Sequence, residues 1–545
     1  MIKLNYFLIF SSLVILVISS PIVCSLNTSE SESDKQLNLI YSTFLGGSGT
    51  DNGYDIAIDS QGNIVIAGYT NSINFPTTAN AYSTIKSGSS DVFVMKLSND
   101  GSKLLFSTFL GGSEFENVYS MALDSEDNIY LTGFTKSPDF PVKNAIDDSY
   151  NGKNDIFVSK LSANGSNILF STYIGGSDDE QAYKIRLDSS NNVFLAGSTT
   201  STDIPIVNGF DSDNQNSTDA YICKIANNGS QILYSTFLGD IGLEEAYGLT
   251  INDTGDIFVT GVTSSIHFPT LNAYDDTYND DGTKYDAFLT ILNPNSSKAY
   301  NLAYSTFFGG TGKDIGMTIS LDSNQNIIIT GGTTSEDLPV KNAFGLTFNG
   351  GDRIGDAFIT KFTSNGSQLL FSSYFGGSGN EYTQSMVFDK NENIIITGFT
   401  DSNDLTIVKG FQDEYGGGKN LGDAFLANLS SNGDQIYYSS YLGGSKDDAC
   451  HGLIIDELDS IITIGWSLSD NFPVFNGYDE SYNGDLYSIT GDITLCKFTL
   501  GEPLDYSATQ SKGTQDMGYD LYLIGGIGLV LFSCSRKYSI KRKRI

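Results

Sequence analysis

One seven-residue phrase occurs seven times along the chain, and this repetition restricts the folds available to it. The first copy, Tyr-Ser-Thr-Phe-Leu-Gly-Gly, occupies residues 41–47. The other copies lie at 106–112, 170–176, 234–240, 304–310, 371–377 and 438–444, at spacings of 64 to 70 residues. A period held this steadily indicates a repeat architecture in which each period is one supersecondary unit.

Each repeat predicts four short β-strands, named A to D. In the first repeat they cover residues 54–59, 63–69, 91–97 and 103–111. Turn sequences at 60–62 and 99–101 separate A from B and C from D, and a long polar loop joins B to C. Charged residues are only 17% of the chain, which has 58 glycines, and this composition favours strands and turns over helices.

Seven such repeats predict an all-β fold, a seven-bladed β-propeller of four-stranded antiparallel blades. The first phrase has no strand C before it, and the last strand C, at 492–498, has no strand D after it. We therefore expect the N-terminal strand to complete the seventh blade and close the ring, so that no sheet edge is left unpaired.

The two ends of the chain differ from the repeats. We interpret residues 1–25 as a signal peptide, 26–37 as a polar spacer, 38–500 as the propeller and 501–518 as a linker. Residues 519–535 form an apolar segment, interpreted as a transmembrane or sorting segment, before a basic cytoplasmic tail at 536–545. Short hydrophobic helices are expected at both ends, and the layout predicts an extracellular protein anchored at the cell surface.

The formal net charge of −34 bears on the possible partners. Nucleic acid would be repelled by such a chain, so we exclude it as a partner. An extracellular protein or a glycan fits the predicted location better, and the C-terminal segment would contact the membrane.

An acid follows the phrase at one fixed position in every repeat. The seven acids are Asp51, Glu116, Glu180, Glu244, Asp314, Glu381 and Asp448. We expect them in the loops between strands D and A, around one mouth of the channel. They predict either a carboxylate ring that attracts Ca²⁺ or structural acceptors that lock adjacent blades together. No other cofactor is predicted.

Two further positions of strand C carry charge. An Asp opens each copy: Asp91, Asp155, Asp219, Asp286, Asp356, Asp423 and Asp492. We interpret these residues as structural acceptors for the adjacent turn. A Lys near the end of strand C is replaced by Ile291 in the repeat whose strand A ends in Asn252 instead of Asp. This joint loss favours an Asp–Lys ion pair in the other repeats, with the sixth repeat as an exception because it keeps Asp389 but has Asn428 in place of the Lys.

Little in the sequence indicates catalysis. The two histidines, His267 and His451, fall in different repeats, and no nucleophile or phosphate-loop motif is present. His451 with Cys450 and Asp448 is the one compact reactive combination, and His451 occupies a position that is Tyr in four repeats. The long B–C loops, on the face of the acids, are a candidate binding surface because variable loops on a rigid scaffold often bind ligands.

The repeated residues resemble the SBBP (seven-bladed β-propeller) repeat family. The shared pattern includes Asp-Ala-Phe-x-x-Lys, seen at residues 356–361, and Tyr-Ser-Thr-x-Leu-Gly-Gly, and it covers about residues 38–500. The resemblance implies a secreted or surface propeller of bacteria or archaea, without one activity. We expect a cell-surface binding or scaffold propeller that is not an enzyme. The alternatives are a carbohydrate-active or lyase-type propeller enzyme with its site at the channel mouth and a purely structural envelope protein.

Overall fold

The computed structural model describes residues 35–279, 284–295, 299–351, 353–484 and 491–502. The predicted signal peptide, most of the spacer and the linker, and the C-terminal segment and tail lie outside the described residues. The two predicted terminal helices lie outside them as well. Within the described ranges, no helix has the length and apolar character needed to cross a membrane.

Twenty-eight strands form seven separate four-stranded sheets, which confirms the predicted propeller of antiparallel blades. Blade 1 consists of β2 (Asp51–Ile58), β3 (Ile64–Thr70), β4 (Asp91–Leu97) and β5 (Leu104–Leu110). Blade 2 consists of β6 (Glu116–Leu123), β7 (Ile129–Thr135), β8 (Asp155–Leu161) and β9 (Ile168–Ile174). Blade 3 consists of β10 (Glu180–Leu187), β11 (Val193–Thr199), β12 (Asp219–Ile225) and β13 (Ile232–Leu238).

The remaining blades keep the same order of strands. Blade 4 consists of β14 (Glu244–Ile251), β15 (Ile257–Thr263), β16 (Asp286–Pro294) and β17 (Tyr300–Phe308). Blade 5 consists of β18 (Asp314–Leu321), β19 (Ile327–Thr333), β20 (Asp356–Phe362) and β21 (Leu369–Phe375). Blade 6 consists of β22 (Glu381–Phe388), β23 (Ile394–Thr400), β24 (Asp423–Leu429) and β25 (Ile436–Leu442). Blade 7 consists of β26 (Asp448–Ile455), β27 (Ile461–Ser467), β28 (Asp492–Gly501) and β1 (Gln36–Leu45).

The N-terminal strand closes the ring, as the strand count predicts. In blade 7 the strand order is β1-β28-β27-β26, and β1 pairs antiparallel with β28 from Gln36 opposite Gly501 to Leu45 opposite Ile493. One blade is thus assembled from the two ends of the repeat region. The first phrase belongs to the outer strand of the last blade, and all seven blades have four strands.

Apolar side chains on both faces of the middle strands hold the blades together. Every residue of β4, at strand C of blade 1, is buried. Phe93 and Met95 belong to an apolar cluster that also contains Ile464 and Leu495 of blade 7. Because each blade is covered on both faces by its neighbours, strands B and C are apolar throughout instead of alternating.

The inner strands begin earlier than the sequence pattern indicates. Strand A of blade 1 is predicted from Tyr54 but begins at Asp51, which pairs with Thr70 at the end of strand B. The acid that follows each phrase is therefore the first residue of an inner strand and not part of a loop. The alternation of apolar residues misses this start because Asp51 and Asn52 are buried polar residues.

The long B–C loops begin beside the acids, where the Ser72 hydroxyl donates to Asp51, and then run to the outer edge of the propeller. In blade 2, Lys143 of the loop pairs with Ser171 of outer strand β9. In blade 4, Leu271 pairs in the same way with Ser305 of β17. The loops cover an edge that would otherwise expose unpaired backbone groups, and this requirement decides their course.

Candidate functional site

The seven acids after the phrase lie buried inside the protein. The Asp51 carboxylate accepts hydrogen bonds from the Gly47 backbone N–H at 2.7 Å and from the Ser72 hydroxyl at 2.8 Å. The other six accept the corresponding N–H at 2.7 to 3.3 Å. All seven side chains are 0% exposed. Each acid thus fastens the turn that leads from one blade into the next.

The Asp that opens strand C lies beside the acid of the next blade. Asp91 accepts N–H hydrogen bonds from Ser87 and Gly88 at 2.8 and 2.9 Å, which fixes the end of the B–C loop. At the junction of blades 7 and 1, Asp51 Oδ2 and Asp492 Oδ1 lie 2.7 and 2.8 Å from the place of a Cβ on Gly46. The seven blade junctions therefore place two buried carboxyl groups side by side, separated by the first glycine of the phrase.

At five junctions, burial raises the pKa of the Asp that opens strand C, and the neighbouring carboxylate raises it further. The pKa of Asp492 is about 7, from burial and from the charge of Asp51. Burial and Glu381 together raise the pKa of Asp356 to about 7, and burial and Glu244 raise that of Asp219 to about 8. The junctions that contain Asp219, Asp356 and Asp492 therefore hold a proton near neutral pH.

A metal at these acids stays a prediction. In the part of the chain that the structure describes, no group of three or more His, Cys, Asp or Glu side chains could hold a metal ion. Backbone N–H groups and hydroxyls around the carboxyl pairs donate hydrogen bonds to them.

The Asp–Lys ion pair predicted from the sequence is present in five blades. The Nζ–Oδ2 distance is 2.8 to 3.4 Å in the pairs Lys96–Asp59, Lys160–Asp124, Lys224–Asp188, Lys361–Asp322 and Lys497–Asp456. In blade 6, the Asn428 amide donates to Asp389 at 3.4 Å instead. Blade 4 has neither partner: Asn252 and Ile291 occupy these positions, and Ile291 is buried.

Aromatic side chains form an arc at the fourth residue of the inner strands. Each inner strand has a bulge at this residue, which leaves it outside the strand pairing. Tyr54 stacks on His451 at 4.7 Å and meets Tyr119 at 5.4 Å, measured between ring centroids. Tyr183 lies 5.3 Å from Tyr119 and 5.0 Å from Tyr247. The arc spans blades 7, 1, 2, 3 and 4, and blades 5 and 6 carry Met317 and Gln384 there.

Glu245, the second residue of β14, accepts hydrogen bonds from two tyrosine hydroxyls of this arc. Tyr183 Oη donates to Glu245 Oε1 at 2.9 Å, and Tyr247 Oη donates to Glu245 Oε2. Burial and the charge of Glu245 both raise the pKa of Tyr183 and Tyr247. Burial raises the pKa of Tyr382 of blade 6, and the charges of Tyr285 and Glu245 raise it further.

Further along the inner strands, the lining contains three charged side chains. Asp55, at the fifth residue of β2, accepts hydrogen bonds from the Ser120 hydroxyl at 2.9 Å and the Met121 N–H at 2.8 Å. Lys184 and Arg186 are the fifth and seventh residues of β10. Burial lowers the pKa of both basic groups, and the charge of Asp55 opposes this shift.

Comparisons with known proteins agree with this architecture. Residues 40–76 and 169–205 match the family described as SBBP, beta-propeller repeat. At these two places the chain carries SBBP β-propeller repeats. A search of curated proteins finds no match.

Solved structures similar to this propeller are distant from it. Gluconolactonase XC5397 from Xanthomonas campestris is 9% identical, covering 67% of this chain and 88% of its own, with a TM-score of 0.31. The quinohemoprotein alcohol dehydrogenase from Comamonas testosteroni is 8% identical, covering 89% and 79%, with a TM-score of 0.37. The GH74 xyloglucanase from Xanthomonas campestris is 10% identical, covering 79% and 53%, also with a TM-score of 0.37. At these values the similarities do not bear on what the propeller does.

The reactive combination found in the sequence is not assembled in the propeller. Asp448 accepts hydrogen bonds from the Gly444 N–H and the Ser469 hydroxyl, whereas the His451 ring stacks on Tyr54. Burial lowers the pKa of His451 to about 4 and raises that of the Cys450 thiol to about 11. Both groups are therefore neutral at pH 7, and the thiol is a poor nucleophile.

Sequence reasoning missed the channel residues Glu245, Lys184, Arg186 and Asp55. They occupy inner-strand positions whose side chain changes from blade to blade, so they do not belong to the repeated pattern. An alignment of the seven repeats with one another could have found them, as charged residues in columns that do not repeat.

Proposed function

We propose that this chain is an extracellular binding propeller that holds its ligand in the central channel. The observation that carries the proposal is the contrast between two sets of inner-strand positions. The first residue of the inner strand is an acid in all seven blades, whereas the second, fourth, fifth and seventh residues differ between blades. A ring that needs only closure has no use for a lining of different residues in each blade, but a site for one asymmetric ligand does.

The chemistry of the lining favours a ligand with hydroxyl or amide groups on a flat framework. Tyr54, Tyr119, Tyr183 and Tyr247 are half-buried, so part of each ring faces the channel. Tyrosine supplies a large rigid contact surface together with a polar hydroxyl. Glycans and extended peptide segments have this character, and we propose an extracellular glycan, protein or envelope component as the partner.

The proposed location follows from the two ends of the sequence. A signal peptide at 1–25 and a C-terminal anchor at 519–535 would hold the propeller outside the cell at the membrane. The proposal requires no cofactor. Fractionation of cells that express the chain, before and after removal of 519–545, measures whether these residues anchor it.

Array binding tests the proposed function. The full chain is applied to arrays of extracellular glycans and peptides, beside Tyr183→Ala and Glu245→Ala. We expect wild-type binding to a small set of ligands and its loss in both variants, because these residues belong to the channel lining. Tyr437→Ala is the matched control, since Tyr437 is 39% exposed on outer strand β25. Binding that survives both channel substitutions and fails in the control would contradict the proposal.

A carbohydrate-active or lyase-type enzyme is the second candidate. The observation that favours it is the Glu245 carboxylate, which accepts from the hydroxyls of Tyr183 and Tyr247 and could exchange protons with a bound ligand. Incubation of the protein with each array ligand, followed by mass spectrometry of the products, separates the candidates. Ligand recovered intact supports binding alone, and cleaved ligand that depends on Glu245 supports the enzyme.

A further inference from the structure

Two basic side chains lie on one inner strand of this acidic protein. Lys184 and Arg186 are two residues apart on β10, so they lie on the same side of the strand. The charge of Asp55, on β2 of blade 1, acts on both of them. Blade 2 lies between β2 and β10 in the ring, so these charges belong to blades that are second neighbours around the channel.

Neither basic side chain has a carboxylate partner among the described residues. The lysines of strand C are each within 3.4 Å of a carboxylate oxygen. By contrast, the described ranges place no carboxylate within ion-pair distance of Lys184 or Arg186. The Arg186 guanidinium donates to the Ile185 carbonyl at 2.9 Å. Asp55 already accepts from Ser120, Met121 and the Ile56 N–H.

The two cations are confined to one blade. At the fifth inner-strand position the other blades carry Asp55, Ser120, Gly248, Thr318, Ser385 and Gly452. At the seventh they carry Ala57, Ala122, Thr250, Ser320, Val387 and Ile454. A desolvated cation without a partner destabilises a fold, and the six other blades do without one. Both side chains nevertheless remain half-buried and not sealed, so a ligand in the channel can reach them.

We propose that Lys184 and Arg186 bind the anionic group of the channel ligand, which is therefore an acidic carbohydrate. This inference rests on the channel being the binding site, as proposed above, and it specifies the ligand's charge. Arg186 presents planar donors suited to a carboxylate or a phosphate, and Lys184 adds a second charge close by. Tyr183 immediately precedes Lys184, so a sugar ring attached to the anionic group would lie next to the aromatic arc.

Calorimetric titration of the full chain tests the inference with three probes: D-glucuronate, inorganic phosphate and D-glucose. We expect glucuronate to bind and glucose to bind at least tenfold more weakly, because glucose lacks the charge. Phosphate that also binds shows that the anionic group suffices, and phosphate that does not bind shows that the sugar is needed. Both results support an acidic sugar as the ligand, whereas equal binding of glucose and glucuronate would overturn the inference.

Substitutions of the two basic residues test whether they bind the anionic group. Lys184→Met and Arg186→Met should each weaken glucuronate binding by about ten- to a hundredfold, because each removes one charge-assisted hydrogen bond. Lys184→Arg keeps the charge and should retain binding. Lys153→Met is the matched control, because Lys153 is a lysine with a 67% exposed side chain on the surface. Glucuronate binding that survives both Met variants would overturn the assignment.

Thermal unfolding checks that the variants fold. Lys184→Met should keep the wild-type melting temperature or raise it, because it removes an unpaired desolvated cation. A lower melting temperature would instead assign Lys184 a structural role and overturn the inference. If array glycans bind in a Tyr183-dependent way but Lys184→Met has no effect on them, the proposed function stands and the anion site fails. If no array ligand binds the wild type, both fail.

Discussion

At the scale of single residues, the first glycine of the phrase has the most restrictive environment. A Cβ on Gly111 would lie 2.6 Å from Glu116 Oε2 and 2.7 Å from Asp91 Cγ. Both neighbours are held by backbone N–H groups and cannot move aside. The residue is glycine because only glycine leaves room for two carboxyl groups at one blade junction.

Substitution of this glycine should destabilise the propeller. We expect Gly111→Ala to lower the free energy of unfolding by about 1–3 kcal/mol, as overpacking of a rigid site does. Chemical denaturation measures this loss. The control is Gly501→Ala, where the new Cβ would lie 3.4 Å from its nearest atom, Asn38 Nδ2. Equal stability of the two variants would show that the junction can relax.

The ion pair of strands A and C offers a second prediction at this scale. Lys160→Ile leaves the buried Asp124 carboxylate without its cation and should cost about 3–5 kcal/mol of unfolding free energy. Asp124→Asn combined with Lys160→Ile reproduces the natural Asn252 and Ile291 of blade 4. We expect the double variant to recover most of the loss in chemical denaturation. A double variant less stable than Lys160→Ile would contradict the pairing.

At the scale of elements, seven pairs of carboxyl groups join the inner strand of each blade to strand C of its neighbour. In three of them the pKa of the strand C residue, Asp356, Asp423 or Asp492, is about 7. The unfolded value is about 4, so between these pH values the folded protein binds more protons than the unfolded chain. Stability is therefore gained as pH falls from 8 to 5 and lost as pH rises through 7.

The melting temperature should accordingly be higher at pH 5 than at pH 8. His451 acts in the opposite direction, because its pKa is lowered to about 4, but it is one group against the three carboxyl groups named above. The Asp residues of the ion pairs have lowered pKa values and lose stability only below about pH 4. Calorimetry on wild type and Asp423→Asn measures the effect, and the variant should show a smaller pH slope. A melting temperature that is flat or rises towards pH 8 would contradict the assignment.

The elements show where sequence patterns are informative and where they are not. Strand C of blade 1 matches its predicted bounds, 91–97, because an apolar run between turns identifies a buried strand. The start of strand A and the course of the B–C loops depend on tertiary contacts. Asp51 joins its strand through contacts with the preceding turn, and the loop residues pair with a strand about 30 residues later in the chain. The acid recurs locally after each phrase but does not by itself mark a strand start, and the loop contact has no local signature.

At the scale of the whole molecule, closure depends on β1. We expect deletion of residues 38–47 to abolish cooperative unfolding, because blade 7 would lose its outer strand and β28 would be exposed. Insertion of a copy of residues 36–47 after residue 502 supplies the missing strand and should restore a sharp thermal transition. A deletion variant that unfolds cooperatively at the wild-type temperature would show that β1 does not close the ring.

The number of blades, their strand order and the closing strand could all be predicted from the sequence, because each leaves a repeated or a missing element. The channel could not, because Glu245, Lys184 and Asp55 come together only when three different blades are arranged around one axis. Their residues are separated by about 60 or more positions, and none belongs to a motif. Repetition in a sequence indicates the scaffold, and the departures from it indicate the site.

On the proposed function, each inner strand has positions that build the ring and positions that bind the ligand. Glu244 and Glu245 are adjacent on β14 and belong to different sets: Glu244 is buried at a blade junction, and Glu245 faces the channel. The decisive measurement is thermal unfolding and glycan-array binding of Glu244→Ala and Glu245→Ala. Glu244→Ala should lower the melting temperature and keep the bound ligands, whereas Glu245→Ala should lose the ligands at a nearly unchanged melting temperature. Two variants with the same loss of stability and the same binding would contradict the division.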